Sequence, residues 1–246
     1  VANNIKNIKL LVCYQSKIII DYFGDGSNFG ASIEYIVEKK PRGTAGALID
    51  SLSYLDEEFL VIYGDLFFDI DLKSFWNFHK NNSSDATIFV HPNDHPYDSD
   101  LVELDSKMVV KKIYNYPHNN GWKKNLVNAA LYILKKDKLY GFKLRKKKPD
   151  IAKNLFPLML NNKQKISGYI SSEYIKDAGT VDRFNKIKKD IKSGIVKSLK
   201  KKTKKAAIFI DRDGTINREV NHLSHHKQFE LIKDTAKAIS KINKSG

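Results

Sequence analysis

The sequence predicts an α/β protein whose main body is a mostly parallel, doubly wound sheet, with a second α/β body beginning near its end. Three observations carry that prediction. Short apolar runs such as EFLVIYGD, ATIFV and NLVNAALYIL alternate with amphipathic stretches, the pattern of strands and helices around a shared sheet. Glycines stand where helices should stop, at Gly24 and Gly194. A fresh apolar run, AAIFI at 206–210, follows a lysine-rich stretch.

In chain order, IKLLVCY reads as a buried strand, QSKIIIDYF as a helix stopped by Gly24, and SIEYIVE as a second strand. GTAGALIDSLSYL reads as a helix opened by Gly43 and Thr44, and EFLVIYGD as a strand ending on an acid. ATIFV, LVELD, VVKKIYNY and NLVNAALYIL continue as strands, the last long enough to cross a sheet. After KISGYI, the segment DAGTVDRFNKIKKDIKSG is a turn followed by a helix. The domain boundary is expected at 195–205, between a first domain of residues 1–194 and a second at 206–246.

With 246 residues the chain can bury a self-sufficient core. It has no run of the roughly 18 to 20 apolar residues that a membrane span needs, and VANNIKNIKL lacks the plan of a signal peptide. The cytoplasm is the expected compartment. The single cysteine, Cys13, lies in LLVCY and reads as a buried structural thiol.

The net charge of +15 raises the question of nucleic acid, and its distribution answers it. Ten lysines against one acid, Asp190, fall between Lys186 and Lys205, so most of the excess is local. Lysines outnumber arginines 38 to 5, whereas readers of phosphates and bases favour the arginine fork. A solvated linker at 195–205 is therefore expected. The rival reading is a basic nucleic-acid-binding protein with a degenerate enzyme-like domain.

In VIYGDLFFDIDL, apolar residues lead to Gly64 and Asp65, putting a carboxylate at the carboxyl end of a strand, where open α/β sheets bind ligands. An ordinary Gly-Asp turn is the alternative. Upstream, EKKPRGTAGAL opens a helix whose first N–H groups can meet a base or a phosphate. Downstream, IKDAGT supplies a second acid, Asp177. Two such carboxylates brought together could hold Mg2+, which takes a few oxygen ligands plus substrate phosphates. HPNDHPYDSD crowds His91, Asp94, His95, Asp98 and Asp100, but its prolines deny it the fixed spacing of a helical zinc pair, so a loop facing substrate or a plain turn is expected.

The ordered set GDGSNFG, EKKPRGTAGAL, VIYGDLFFDIDL, HPNDHPYDSDLVELD, NLVNAALYIL and YIKDAGTVDRF, over residues 8–190, resembles the sugar-phosphate nucleotidyltransferases, most closely the branch acting on heptose and mannose 1-phosphates. The resemblance implies a Rossmann-like fold and substrates that are a nucleoside triphosphate and a sugar phosphate. It implies Asp65 and Asp177 as magnesium ligands, Gly43, Thr44, Ala45 and Gly46 against the nucleotide base, and Asn128 facing the sugar. Asn128 read alone is equally a turn or edge amide. The family's opening glycine-rich loop has no match after Val1, and its acid and lysine before a proline are Asn115 and Tyr116 before Pro117 here. Lys111 or Lys112 would be the substitutes.

AAIFI reads as a strand buried on both faces, leading to Asp211 and Asp213, which an extended backbone would point the same way. One such acid can be a nucleophile while the other moves protons. The residues after Gly214 lack the acids and the glutamate of a calcium loop. AAIFIDRDGT with INREVNHLSHHKQFELI resembles the start of haloacid-dehalogenase-like phosphatases of the histidinol-phosphate and heptose-bisphosphate branch. That resemblance implies Asp211 as nucleophile, Asp213 as acid/base, and Mg2+ at both. His222, His225 and His226 read as a solvated loop. The sequence is thus expected to be a piece of a longer bifunctional protein, cut within both enzymes and weakly active or inactive alone.

Overall fold

The structure, a computed structural model, describes residues 5–93, 95–119, 121–144, 146–204 and 207–244. Asp94, Lys205 and Ala206, all used in the sequence reading, lie outside them. The chain divides into two compact units, Val1–Lys201 and Lys202–Gly246.

The first unit opens with β1 (Asn7–Val12), α1 (Ser16–Phe23) and β2 (Ser32–Val37), with β1 and β2 paired in parallel. Gly24 closes α1 at φ 55°, a backbone that suits a residue without Cβ. Cys13 is half-buried rather than buried, because the strand ends at Val12 and the chain leaves the ladder there. There follow α2 (Gly43–Asp50), β3 (Glu58–Ile62), β4 (Leu66–Asp69), α3 (Leu72–Asn81), β5 (Ala86–His91), β6 (Leu101–Leu104), β7 (Val110–Tyr114) and β8 (Val127–Lys135). The unit ends with α4 (Phe156–Asn161), β9 (Ile166–Ile170), β10 (Tyr174–Asp177), α5 (Val181–Lys192) and α6 (Ile195–Ser198).

The α/β architecture is the one expected, and its main sheet is mixed. The strands β3 and β5 both run antiparallel to β8, and β9 is parallel to β5, so β3, β5 and β9 share a direction with β8 inserted against them. An apolar run buried on both faces reads the same in either direction, so sequence alone could not show this reversal. Alternation along β8 serves both faces: Tyr132 and Leu134 join α2 and α4, while Leu131 and Ile133 join Phe75 of α3.

The stretch expected to be a solvated linker is largely folded. Val196 of α6 is buried with Tyr174 and Ile187. Lys200 pairs with Asp69 at 3.0 Å, and the Lys201 backbone N–H donates to Glu173 while its ammonium donates to the Tyr169 hydroxyl. These lysines have local acidic and aromatic partners, which outweigh the tendency of a like-charged run to stay extended in water.

In the second unit, α7 (Thr235–Lys244) is the only α-helix among the described residues. The expected buried strand at 206–210 is corrected: residues 207–210 are irregular, and Phe209 is 97% exposed. A strand needs a neighbour for its backbone groups, and no described segment of this unit forms one beside it. Residues 213–217 instead make a tight turn bridged to Leu231, with Gly214 at φ 74°.

Candidate active site

The sheet explains how two acids more than a hundred residues apart come together. β4 and β10 pair antiparallel with Leu66 opposite Asp177, and the Ala178 N–H donates to the Asp65 carbonyl at 2.6 Å. A carbon added to Gly179 would lie 3.3 Å from Asp65 Oδ2 and 3.4 Å from Asp177 Oδ1, so both carboxylates open onto the space that glycine leaves clear. Arg183, in the first turn of α5, holds Asp177 Oδ1, while no ion pair joins Asp65 among the described residues. Two hard oxygen donors beside a gap fit a small divalent cation that draws its remaining ligands from water and phosphate. Among the described residues no group of three or more His, Cys, Asp or Glu gathers as a metal site, which also holds for His95 and Asp98, paired with each other at 2.8 Å.

Asp177 lines a cleft of about 780 Å³, walled by residues including Tyr63, Leu66, His91, Asn128, Asp150 and Lys176; Asp65 is not itself in the lining but precedes Leu66, which is. Asn128 reaches the cleft because β8 is irregular there: the register against β5 shifts between Ile88 and Val90, and Ala130 adopts φ 54°. The Asn128 Oδ1 accepts the Ala130 N–H at 3.1 Å and its side chain also hydrogen-bonds the Tyr132 hydroxyl, so the amide is fixed in the wall of the cleft. Burial pushes the Tyr63 hydroxyl up to about 12, reinforced by the Asp150 charge, so it is a protonated donor at neutral pH. Burial also lowers His91 below the usual imidazole range, keeping it neutral. Burial alone would raise Asp190, but hydrogen bonds from Lys186 (2.7 Å) and Tyr174 (2.9 Å) outweigh it and hold the carboxylate ionised.

The other expected site residues divide. The first turn of α2 is covered by the chain itself: the Ala45 N–H donates to the Pro149 carbonyl, and Thr44 Oγ1 donates to Asp150 at 2.9 Å. Gly43, Thr44, Ala45 and Gly46 are not among the residues that line the cleft, whereas Tyr63, hydrogen-bonded to the Thr44 side chain, is. Lys111 and Lys112 do not line the cleft; Lys112 lies over the Tyr114 ring at 5.0 Å. Asp211 and Asp213 belong to the second unit. Asp213 is held by Arg212 through two bonds and by Asn217 at 3.1 Å, which lowers it below the usual carboxylate range, and the Asp211 charge also acts on Arg212. His225 caps a short turn rather than facing a ligand.

Lys176, Arg183 and Asp150 escaped the sequence reading. Arg183 could have been found, since it stands six residues after Asp177 in the same motif. Asp150 and Lys176 carried no such signal, because only the folded sheet brings them to the cleft.

The nucleotidyl transferase family model matches residues 1–194. The mannose-1-phosphate guanylyltransferase of Mycobacterium tuberculosis is 26% identical over 80% of this chain and 55% of its own length. The D-glycero-alpha-D-manno-heptose 1-phosphate guanylyltransferase of Campylobacter jejuni is 33% identical over 58% of this chain and 61% of its own length. The chain thus spans little more than half the length of these two relatives. The crystal structure of HddC from Yersinia pseudotuberculosis, also solved with GMP-PN, shares the fold with a TM-score of 0.65 at 21% identity, over 77% of this chain and 80% of that one. With the family model matched over most of its residues, the chain belongs to the nucleotidyl transferase family.

Proposed function

We propose that the protein transfers a guanylyl group from GTP to a mannose or heptose 1-phosphate and releases pyrophosphate. The convergence of Asp65 and Asp177 at Gly179, with Asp177 lining the cleft, supports this reading. The relatives are named for guanylyl transfer to these two sugar phosphates. In the reaction a sugar-phosphate oxygen attacks the α-phosphorus, the bond to the β-phosphate breaks, and the freed pyrophosphate carries the electron pair away. Such chemistry is mostly positioning and charge neutralisation.

Asp65 and Asp177 would hold Mg2+, which when bound neutralises phosphate charge. The chain's own groups orient the partners. The Asn128 amide faces the sugar hydroxyls, and the base takes the side of the cleft nearest Tyr63 and the turn Gly43–Gly46. Nucleoside triphosphates and sugar phosphates are cytoplasmic solutes, so the reading places the reaction there. Pyrophosphate release from GTP and mannose 1-phosphate with Mg2+ tests it. Asp65→Ala and Asp177→Ala should each lower the rate by about 100-fold or more, the scale of losing a group that stabilises transition-state charge. An unchanged rate in Asp65→Ala contradicts the assignment.

A second activity is supported by the DRDGT sequence: hydrolysis of a sugar bisphosphate such as D-glycero-D-manno-heptose 1,7-bisphosphate, with Asp211 as nucleophile, Asp213 as acid/base and Mg2+ bound by both. Because Arg212 and Asn217 already engage Asp213, the 246-residue chain should release phosphate weakly at most. Release that survives Asp211→Asn rules this activity out.

A further inference from the structure

We propose that Lys176 is the cation that binds the phosphate of the sugar phosphate, an assignment that rests on the transferase reading above. A phosphate monoester is dianionic near neutral pH, and the cleft it must approach is lined by Asp177, with the Asp65 carboxylate beside it at Gly179. Besides a bound metal, the site therefore needs a positive group not already committed to an acid. Four cations line the cleft: Lys153, Lys176, Arg183 and Lys186. Arg183 is spent on Asp177, and Lys186 on the buried Asp190. Among the described residues, no ion pair within 4 Å joins Lys153 or Lys176 to an acid.

Position separates these two. Lys153 stands exposed in the turn capped by Asp150, whose Oδ1 accepts the Lys153 backbone N–H, on the side of the cleft with Tyr63. Lys176 directly precedes Asp177 on β10, half-buried, and its charge is felt both at His91 across the cleft and at Asp190. A flexible ammonium there can reach a phosphate placed between the Asp177 rim and His91, as a compact point charge. The place where the resemblance implies a lysine is Tyr116 in this chain, which leaves the charge to be supplied from elsewhere. Neither Lys111 nor Lys112 lines the cleft to replace it.

The test is direct binding of mannose 1-phosphate, followed by calorimetry and by the 31P shift of the ligand, on the 246-residue chain and its Lys176→Ala, Lys176→Arg and Lys153→Ala variants. GTP binding is measured alongside. The expected result is sugar-phosphate affinity lowered at least 10-fold in Lys176→Ala, partly restored in Lys176→Arg and kept in Lys153→Ala, with GTP affinity unchanged throughout. Equal affinity in Lys176→Ala, a matching loss of GTP binding, loss in Lys153→Ala instead, or no binding by the wild type overturns the proposal. Failure of the transferase reading looks different: the wild type binds mannose 1-phosphate through Lys176 but forms no pyrophosphate with GTP.

Discussion

His79 shows how much one buried ring can set the response of the fold to pH. It is fully buried, its Nδ1 lies 2.7 Å from the Thr87 hydroxyl, and its Nε2 has no hydrogen-bond partner among the described residues. Burial, opposed by Glu58, lowers its pKa from 6.5 to about 4, so the folded protein keeps the ring neutral where the unfolded chain takes a proton. The stabilisation is complete above about pH 6.5 and is lost as pH falls toward 4, with a ceiling of about 3 kcal/mol. Urea unfolding at pH 7 and pH 5 should show a smaller loss of stability in His79→Asn than in the wild type, and parallel losses would contradict the assignment. At this scale the sequence was partly legible. A Gly-Asp pair after an apolar run marked Asp65, and the acid before a small-residue turn marked Asp177. Lys176 gave no warning, because its value depends on which neighbouring cations are already paired. Asp211 and Asp213 were read from strand geometry, and the local bonds of Arg212 replaced that geometry.

Among the elements, the first turn of α2 gives the sharpest case of glycine required by its surroundings. Gly43 has φ 73°, and a Cβ there would meet the Pro149 carbonyl oxygen at 2.5 Å. Gly43→Ala should cost on the order of 1 to 3 kcal/mol, combining backbone strain with displacement of the 148–150 loop, and would appear as a lowered Tm. A Tm equal to wild type would show that the loop yields freely. The sequence identified this helix and its flexible opening; that its first turn is also covered by the 148–150 loop was not legible, because a helix start open to a ligand and one packed against its own chain share one sequence pattern. It left α3 unassigned although Asp71 caps it by accepting the Ser74 N–H at 3.1 Å. The helix α4 was hidden for another reason: it begins as a wider π turn at Ile151–Leu155 with a proline following, which breaks the usual period. The β4–β10 pairing that makes the site is non-local, and no local pattern encodes it.

For the molecule as a whole, charge and architecture point the same way. The lysine excess that suggested a polyanion is in part committed: the ammonium groups of Lys186 to Asp190, of Lys200 to Asp69 and of Lys201 to the Tyr169 hydroxyl. No helix among the described residues is long and apolar enough to cross a membrane. The α/β class was legible because apolar runs and helix stops alternate along the chain; the mixed strand order was not, because direction leaves no trace in composition. The chemistry proposed for the first unit rests on a pair of carboxylates that the β4–β10 pairing brings together, one of them, Asp177, lining the cleft. Mn2+ can stand in for Mg2+ at such oxygen sites, and its binding is read by water-proton relaxation. Titrating the chain with Mn2+ in the presence of GTP should reveal one nucleotide-dependent site that disappears in both Asp65→Ala and Asp177→Ala. An undiminished site in either variant would contradict the account.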